Sequence, residues 1–429
     1  MKKRTGITIF ISTLILILSI FALSSCFSVD PLTVAGTRVN EMGEVIITYS
    51  DGSEVNIGVV GGGDSTSYTI NTGDGGIAHA ASRGIASAVS VSAKFKVNSY
   101  GGFFGGAGTS TSESRGSGVI YKLDKNDGSA FIITNYHVIY DQNATTPNGI
   151  SDSIKVFTYG SESDEYAIPA EFIGGSMYYD IAVLYVSSSE IMKRASVSAV
   201  TVCPINDVSV GETAIAVGNP EGAGISTTLG VVSVDSEHIL MNSLDGNGSV
   251  ASRVMRVDTA INSGNSGGGL YNSKGELIGI VNAKISDSSV ENIGYAIPSS
   301  IAIPVAENII DNCHQKENIA LLRPMLGVTL ASTSAGSVIS PETGLITKTE
   351  SVVISQVSFG SLAAGKIEVG DVITAIKIGD DEISITRTHH VIDMMLNARL
   401  GDQVEITLLR KGETKAVTIE ITADALTEY

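Results

Sequence analysis

The 429-residue chain lacks the residues that several classes of protein depend on. It has only three cysteines, Cys26, Cys203 and Cys313, too few for a disulfide framework. Cys203 and Cys313 pair only if the fold brings them together, and otherwise we expect two buried thiols. Basic residues number 27 against 45 acidic ones, a net charge of −18, and no basic patch follows the first four residues. A nucleic-acid-binding surface needs such a patch, so nucleic acid is excluded as a partner.

Tryptophan is absent and proline is scarce at 9 residues, whereas glycine is abundant at 47. Many glycines among frequent Val, Ile, Ser and Thr favour β-rich domains with tight turns. A hydrophobic share of 43% excludes global disorder, and the length predicts two or three domains.

Sequence features of a metal or cofactor site are also missing. No glycine run is followed by Lys-Ser or Lys-Thr ahead of a helix, so no phosphate-binding loop is predicted. His389 and His390 are neighbours on a predicted helix, where their rings point about 100° apart and chelate one metal poorly. We therefore predict no metal and no cofactor.

A single long hydrophobic run, from Ile7 to Leu23, follows a short basic start and has the form of a secretory signal. It ends in Leu23-Ser24-Ser25-Cys26, which resembles a bacterial lipobox, where the signal is cut before the cysteine and the thiol carries a lipid. We expect residues 1–25 to be a lipoprotein signal peptide and Cys26 to hold the protein at the extracytoplasmic face of a bacterial membrane. An uncleaved transmembrane anchor is the alternative, because the run is just long enough to span.

The composition then predicts a spacer and two domains. Residues 26–77 form a polar, glycine-rich spacer in which 43–60 predicts a β-hairpin around an Asp-Gly turn. Residues 78–313 contain short β-type runs separated by Gly, Ser, Asp and Asn, which predicts an antiparallel sandwich or barrel. Residues 320–425 predict a small α+β domain.

Three local predictions refine this division. The stretch 86–97 is typical of a β-strand, and 61–76 of a linker. Apolar residues at helical spacing predict helices at 303–313 and 389–400.

Three short stretches of the β-rich domain supply chemistry, in the order histidine, aspartate, serine. They are TNYHV with His137, DIAVL with Asp180 and GNSGG with Ser266. A serine hydroxyl is a weak nucleophile, so a nearby imidazole must take its proton and a carboxylate must hold that imidazole. Each stretch alone is more often a structural histidine, a turn aspartate or a loop tip, but together in one β domain they indicate nucleophilic catalysis.

These stretches resemble the active-site motifs of the trypsin-like proteases of the HtrA (DegP) family. Further similarities are GSGVI, AVGNPEG, TTLGVVS, GELIGIVNA and NIGYAIPSS, and the resemblance extends over residues 78–425. It implies a mainly β fold, with two perpendicular six-stranded β-barrels followed by a small α+β PDZ domain.

Applied to this sequence, the resemblance implies a role for each active-site residue. His137 is the general base and acid, Asp180 the orienting carboxylate and Ser266 the nucleophile. The backbone N–H groups of Gly264 and Ser266 form the oxyanion hole, and Asn265 shapes its loop.

Two further positions concern specificity and the loop. Ile261 is placed at the wall of the S1 pocket, which favours small aliphatic side chains before the scissile bond. Gly269 departs from the family, which often has Pro or Ala there, and that raises the question of whether the oxyanion hole is preformed.

The C-terminal domain resembles a PDZ domain through MLGV at 325–328. Backbone N–H groups of Leu326, Gly327 and Val328 are expected to bind the C-terminal carboxylate of a peptide that adds a strand to the sheet edge. The insert 332–350 separates this loop from the next clear strand. A small β domain used for dimer contact is the alternative.

These features together predict an exported, membrane-anchored serine endopeptidase that degrades unfolded or mislocalised proteins. Its PDZ domain would bind C-terminal peptides and regulate it, and family members usually form homo-trimers or larger assemblies. Two alternatives stay open: a peptide-binding chaperone with an idle protease site, and a dedicated processing protease with few surface substrates.

Overall fold

The computed structural model describes residues 34–39, 44–49, 54–59, 76–100, 107–161, 163–204, 208–222, 224–283, 293–313, 322–339 and 344–428. The predicted signal peptide and Cys26 lie outside these ranges. The chain divides into two compact units, Met1–Gly73 and Asp74–Tyr429. Within the described ranges, no helix is long and apolar enough to cross a membrane.

The first unit contains a three-stranded antiparallel sheet. Its strands are β1 (Val34–Val39), β2 (Glu44–Tyr49) and β3 (Glu54–Val59), in that order. The hairpin predicted at 43–60 is the β2–β3 pair and is confirmed, while β1 was not predicted.

The second unit begins with two closed six-stranded β-barrels, which confirms the expected mainly β fold. The first joins its strands in the order β4-β5-β6-β9-β8-β7. They are β4 (Ala88–Tyr100), β5 (Ala107–Asp124), β6 (Ser129–Thr134), β7 (Ser153–Thr158), β8 (Ile168–Ser176) and β9 (Ile181–Val186).

The second barrel has the order β10-β11-β12-β15-β14-β13. Its strands are β10 (Thr213–Gly218), β11 (Ser226–Asn242), β12 (Ser249–Val257), β13 (Gly269–Tyr271), β14 (Leu277–Val281) and β15 (Gly294–Pro298).

The side chains of β9 alternate between two hydrophobic cores, which explains why its apolar run is continuous. Ala182 and Leu184 fill the interior of the first barrel. Ile181 and Val183 point the other way, into a core shared with the second barrel and with helix α4 (Ser299–Cys313). Both faces of the strand are therefore buried, and the strand positions Asp180 just before its first residue.

Four further α-helices are found in the described residues of this unit. They are α1 (Gly76–Ser87), α2 (Tyr136–Ile139), α3 (Glu190–Arg194) and, in the C-terminal domain, α5 (Thr388–Asn397). The predicted helix at 303–313 belongs to α4, which begins at Ser299 and has Pro304 inside it.

Helix α1 corrects the prediction that the strand begins at residue 86. Ala86 and Ser87 are helical, and β4 starts at Ala88. The helix buries Ala80, Gly84 and Ser87. Because these buried residues are small, the sequence shows no large apolar side chains at helical spacing on this face.

In its described residues, the C-terminal domain is a β-sheet with one α-helix. Its main sheet has the order β17-β18-β19-β21-β22, with β20 beside β19, and β16 pairs separately with β23. The strands are β16 (Leu322–Pro324), β17 (Val328–Ile339), β18 (Ile346–Val357), β19 (Val372–Ile378), β20 (Asp381–Ser384), β21 (Gln403–Arg410), β22 (Glu413–Glu420) and β23 (Leu426–Glu428). The predicted helix at 389–400 is α5, which ends at Asn397.

The sequence suggested that the insert 332–350 separates the MLGV loop from the next strand, and this prediction is wrong. Residues 332–339 and 346–350 extend β17 and β18 into one long antiparallel pair, in which Ile339 faces Ile346. A shift of register between Ser332 and Ala335 interrupts the ladder. The polar, glycine-containing composition of these residues is typical of an exposed ribbon, so the sequence did not indicate strands here.

Candidate active site

His137 and Asp180 lie side by side in the first barrel, which the sequence predicted. His137 is in the short helix α2, directly after β6, and Asp180 directly precedes β9, the neighbour of β6. Nδ1 of His137 lies 2.7 Å from Oδ2 of Asp180, and the backbone N–H of His137 donates to Oδ1 at 3.0 Å. A carboxylate only accepts, so the proton of the imidazole is on Nδ1 and Nε2 is left as the base.

Asp180 adopts a backbone conformation that non-glycine residues rarely use, with φ of 53°. Its carbonyl oxygen accepts from the side chain of Asn135 at 2.8 Å and from the backbone N–H of Tyr136 at 3.2 Å. The side chain is 6% exposed. Strained backbone held by several hydrogen bonds is common at functional sites, and here it aims the carboxylate at the histidine.

Ser266 lies in the turn between β12 and β13, in which Gly264, Ser266 and Asn265 are all buried. Gly264 and Gly267 have positive φ values of 94° and 84°, which only glycine adopts without strain. The carbonyl of Ser266 accepts from the backbone N–H of Ser117 at 2.8 Å, and this bond holds the turn against the first barrel.

Asn265 shapes this turn from within. Its Oδ1 lies so close to Gly218 that a Cβ on that glycine would be 2.7 Å away. The hydroxyl of Ser117 donates to the carbonyl of Gly264 at 2.7 Å and accepts from the backbone N–H of Asn219 at 2.8 Å. Ser117 therefore links the turn to the loop after β10, a role that sequence reasoning missed.

Two consecutive residues after β14 connect the aspartate to the serine. The side-chain amide of Asn282 donates to Oδ2 of Asp180 at 2.7 Å, and the backbone N–H of Ala283 donates to Oγ of Ser266 at 3.2 Å. Asn282 was also missed, because a single asparagine after an apolar strand has no distinctive sequence signal. Its burial, with 1% exposed, marks it in the structure.

The serine hydroxyl faces the amide of Ala283 in this structure. Among the described residues, no hydrogen bond joins it to His137, and the backbone N–H groups of Gly264 and Ser266 donate to no protein acceptor. The structure thus brings His137, Asp180 and Ser266 into one site through Asn282 and Ala283, with the hydroxyl turned to Ala283.

Ile261 packs into the second barrel beside this turn. A Cβ on Gly294, in β15, would lie 2.6 Å from Cδ1 of Ile261. The side chain also packs against the barrel core that includes Val281 and Ala296.

The loop MLGV lies at the start of β17. Leu326 is buried and Gly327 has φ of 75°. The carbonyl of Leu326 accepts from the backbone N–H of Ala363 at 3.1 Å, and that of Gly327 from Ser358 at 2.8 Å. These two bonds fix the backbone from Leu326 to Val328 beside the edge strand of the sheet.

Helix α5 of the C-terminal domain contacts the second barrel through charged groups. Asp393 is 1% exposed and forms an ion pair with Arg253 of β12, and the hydroxyl of Ser300 donates to Asp393 at 2.7 Å. Arg387 pairs with Asp235 of β11 at 2.9 Å. Loss of either partner of the Arg253–Asp393 pair would leave a buried charge unpaired, which is costly.

His389 and His390 lie at the same contact, and both are poor bases there. Burial, followed by the charge of Arg253, lowers the pKa of His389 to about 2. Burial and the charge of Arg387 lower the pKa of His390 to about 4. Nδ1 of His390 accepts from the backbone N–H of Thr386 at 3.4 Å, which requires the neutral ring.

The cysteines give one structural result. Cys203 is buried, and its sulfur lies 3.8 Å from the side-chain amide of Asn272. The side chain of Cys313 lies outside the described part of the structure.

Comparisons with known proteins find similarity in both domains of the second unit. A family model described as a trypsin-like peptidase domain matches residues 116–280, and one described as a PDZ domain matches 324–421. The chain is 32% identical over 358 residues to the serine protease Do-like HtrA of Lactococcus lactis subsp. cremoris, which covers 78% of this chain and 80% of that protein.

Two further relatives extend the similarity. The serine protease Do-like HtrA of Bacillus subtilis is 33% identical over 330 residues, 74% of this chain and 66% of that protein. A probable periplasmic serine endoprotease, DegP-like, of Brucella suis is 30% identical over 311 residues, 72% of this chain and 53% of that protein.

Proposed function

This chain belongs to the HtrA/DegP family of trypsin-like serine proteases with a C-terminal PDZ domain, and from that premise we propose that Ser266, His137 and Asp180 form its catalytic triad. Its activity is that of a serine endopeptidase. The observation that carries the triad is the chain of contacts from Ser266 through Ala283 and Asn282 to Asp180 and His137.

Catalysis begins when the Ser266 hydroxyl leaves the Ala283 amide and turns to Nε2 of His137. The imidazole takes the proton as Oγ attacks the scissile carbonyl, and Asp180 stabilises the imidazolium that forms. The N–H groups of Gly264 and Ser266 receive the oxyanion, and each such donor contributes about 2.7–4 kcal/mol of transition-state stabilisation. The imidazolium then protonates the leaving amine, and water hydrolyses the acyl-enzyme by the same route in reverse.

The proposed substrates of the protease are unfolded or mislocalised proteins, which it cuts after small aliphatic residues. The packing of Ile261 against Gly294 supports this, because an apolar wall at that place narrows the pocket beside Ser266 and offers a basic side chain no counter-charge. A processing protease with few substrates would cut at one sharp consensus instead.

The PDZ domain binds the C-terminal carboxylate of such proteins with the amides of Leu326, Gly327 and Val328, and it regulates the protease. Support comes from helix α5, whose Asp393 is paired with Arg253 of the second barrel. A peptide that moved α5 would disturb this pair. Addition of a hydrophobic C-terminal peptide should therefore change the rate of casein cleavage in the wild type, and Asp393→Asn should reduce that change.

The location of the protein is the outer face of a bacterial membrane, where Cys26 carries the lipid and the protease works as a homo-trimer or larger assembly. The pattern before Cys26 and the word periplasmic in the name of the Brucella relative support export. Cys26→Ala should release the protein from the membrane fraction, and retention there without lipid label would favour an uncleaved anchor.

Digestion of an unfolded casein substrate by the full-length protein tests the enzymatic proposal. We expect fragments from the wild type and none from Ser266→Ala. Equal digestion by both would contradict the triad, and binding without cleavage by both would favour the chaperone with an idle site.

A further inference from the structure

Tyr271 occupies an unusual position five residues after the nucleophile. It is fully buried in the short strand β13, which continues directly from the Ser266 turn. Its ring folds back over the strand, so that a Cβ on Gly269 would lie 2.4 Å from the phenol oxygen and 2.5 Å from two ring carbons. A side chain at position 269 and this ring cannot both keep their places.

The same edge of the ring, at Cε2, also meets helix α1. A Cβ on Gly84 would lie 3.0 Å from two ring carbons of Tyr271 and 2.8 Å from Cγ2 of Val217. The ring therefore packs directly against two glycines, Gly84 of the helix and Gly269 of the strand, and a side chain at either position would crowd it.

A buried hydrogen bond ties the phenol to the same helix. The Tyr271 oxygen lies 2.8 Å from Oγ of Ser87, whose own proton goes to the carbonyl of Gly84 at 3.0 Å. Since a serine hydroxyl has one proton, the phenol donates to Ser87. Burial raises the pKa of Tyr271, which keeps that proton on the phenol at neutral pH.

Helix α1 also contacts the second strand that supports the turn. Val217 of β10 faces Gly84 with its side chain, and its carbonyl oxygen would be 2.3 Å from a Cβ on Gly268. The N–H of Gly267 donates to the carbonyl of Val281 at 3.0 Å, and that of Val281 to Gly268 at 2.8 Å. Any movement of Gly269 is thus transmitted to the residues that flank Ser266 and to the strand that leads to Asn282.

We propose that Tyr271 is a positioning residue for the nucleophile. Its ring, packed against Gly84 and Gly269 and hydrogen-bonded to Ser87, makes helix α1 part of the support of the Ser266 turn. This role rests on the proposed function of Ser266. It also answers the question raised by Gly269: the glycine leaves room for a tyrosine that fixes the turn.

The test measures the rate at which a fluorophosphonate labels Ser266 in the full-length protein, corrected for the folded fraction by circular dichroism. Gly269→Ala should slow labelling by roughly a hundredfold, because a displacement of about 1 Å at a reacting group has that order of effect. Gly269→Ala combined with Tyr271→Val should recover most of the rate, since the smaller side chain frees the space.

Two mild variants test the coupling to helix α1. Tyr271→Phe and Ser87→Ala should each slow labelling by about fivefold, the effect of one lost hydrogen bond. Tyr271→Phe combined with Ser87→Ala should label no more slowly than either single variant, because both changes remove the same hydrogen bond. In casein cleavage, both single variants should lower kcat and leave KM unchanged.

Phe95→Val is the matched control, because Phe95 is 3% exposed in the core of the first barrel and its loss lowers stability without touching the turn. The positioning role would be overturned if Tyr271→Phe, Ser87→Ala and Gly269→Ala all label at the wild-type rate. It would also be overturned if Gly269→Ala combined with Tyr271→Val stays as slow as Gly269→Ala alone. If the wild type does not label at Ser266 at all, the proposed function itself is wrong.

Discussion

The side-chain amide of Asn282 donates to Oδ2 of Asp180 at 2.7 Å, and this is the oxygen that faces Nδ1 of His137. Two donors on one carboxylate oxygen fix the plane of the carboxylate and therefore the direction of the imidazole. A hydrogen bond to a charged group stabilises by about 1.5–3 kcal/mol.

Asn282→Ala should therefore lower kcat by about ten- to a hundredfold, with KM unchanged. Steady-state kinetics on casein or a quenched peptide measure both constants. Asn308→Ala is the control, because Asn308 is also buried but bonds to the carbonyl of Leu322, away from the site. A kcat at the wild-type value in Asn282→Ala would show that Asp180 needs no second donor.

Asp180→Asn should separate catalysis from folding. Asparagine tolerates the positive φ of this position, so the fold should persist. An amide in place of the carboxylate holds the wrong tautomer of His137, and kcat should fall by about 10⁴.

Asp180→Ala adds a stability cost to the same loss. Alanine at this φ costs about 1–2 kcal/mol, which urea unfolding would detect. An Asp180→Asn enzyme with substantial kcat would mean that another group orients the imidazole.

The contact between α5 and the second barrel should weaken in acid. The pKa values of His389 and His390 fall from 6.5 to about 2 and about 4 on folding. The unfolded chain therefore binds more protons below pH 6.5, so stability is complete above that pH and declines as the pH falls through it.

Urea unfolding between pH 7.5 and 5 measures this decline, whose slope approaches about 1.4 kcal/mol per pH unit for each proton. Replacement of both residues by leucine should flatten it. His79→Leu, on the exposed part of α1, is the matched control. An undiminished slope in the double variant would assign the decline to other groups.

The wall formed by Ile261 and Gly294 should set the specificity. Ile261→Ala enlarges the space beside Ser266, so cleavage should shift from Val and Ala toward Leu and Phe. Gly294→Ala should crowd Ile261, because the added methyl would lie 2.6 Å from its Cδ1. Cleavage-site profiling of a denatured proteome measures the shift, and an unchanged profile in both variants would place the pocket elsewhere.

Local signals predicted an antiparallel sandwich or barrel and the three site motifs, and the resemblance to the HtrA family implied the two six-stranded barrels. The strand after Asp180 is a continuous apolar run, and the glycines around Ser266 mark a turn that needs positive φ. The order of the three motifs then indicated which side chains meet.

The missed features depend on contacts between distant segments. Asn282 is defined by its approach to Asp180, 102 residues away in sequence, and Ser117 by its bonds to Gly264 and Asn219. Helix α1 lacked a clear period because the small residues Ala80, Gly84 and Ser87 form its buried face, in which Gly84 packs against Tyr271. Such complementarity between a glycine and a ring is visible only after folding.

The most direct test of the account is the site of covalent modification by a fluorophosphonate, located by peptide mass spectrometry on the full-length protein with unfolded casein present. We predict one adduct, on Ser266, in the wild type, and its loss in His137→Ala, because the hydroxyl needs the imidazole as its base. Casein cleavage by a wild-type protein that carries no adduct on Ser266, or the same labelling rate in His137→Ala, would contradict the triad.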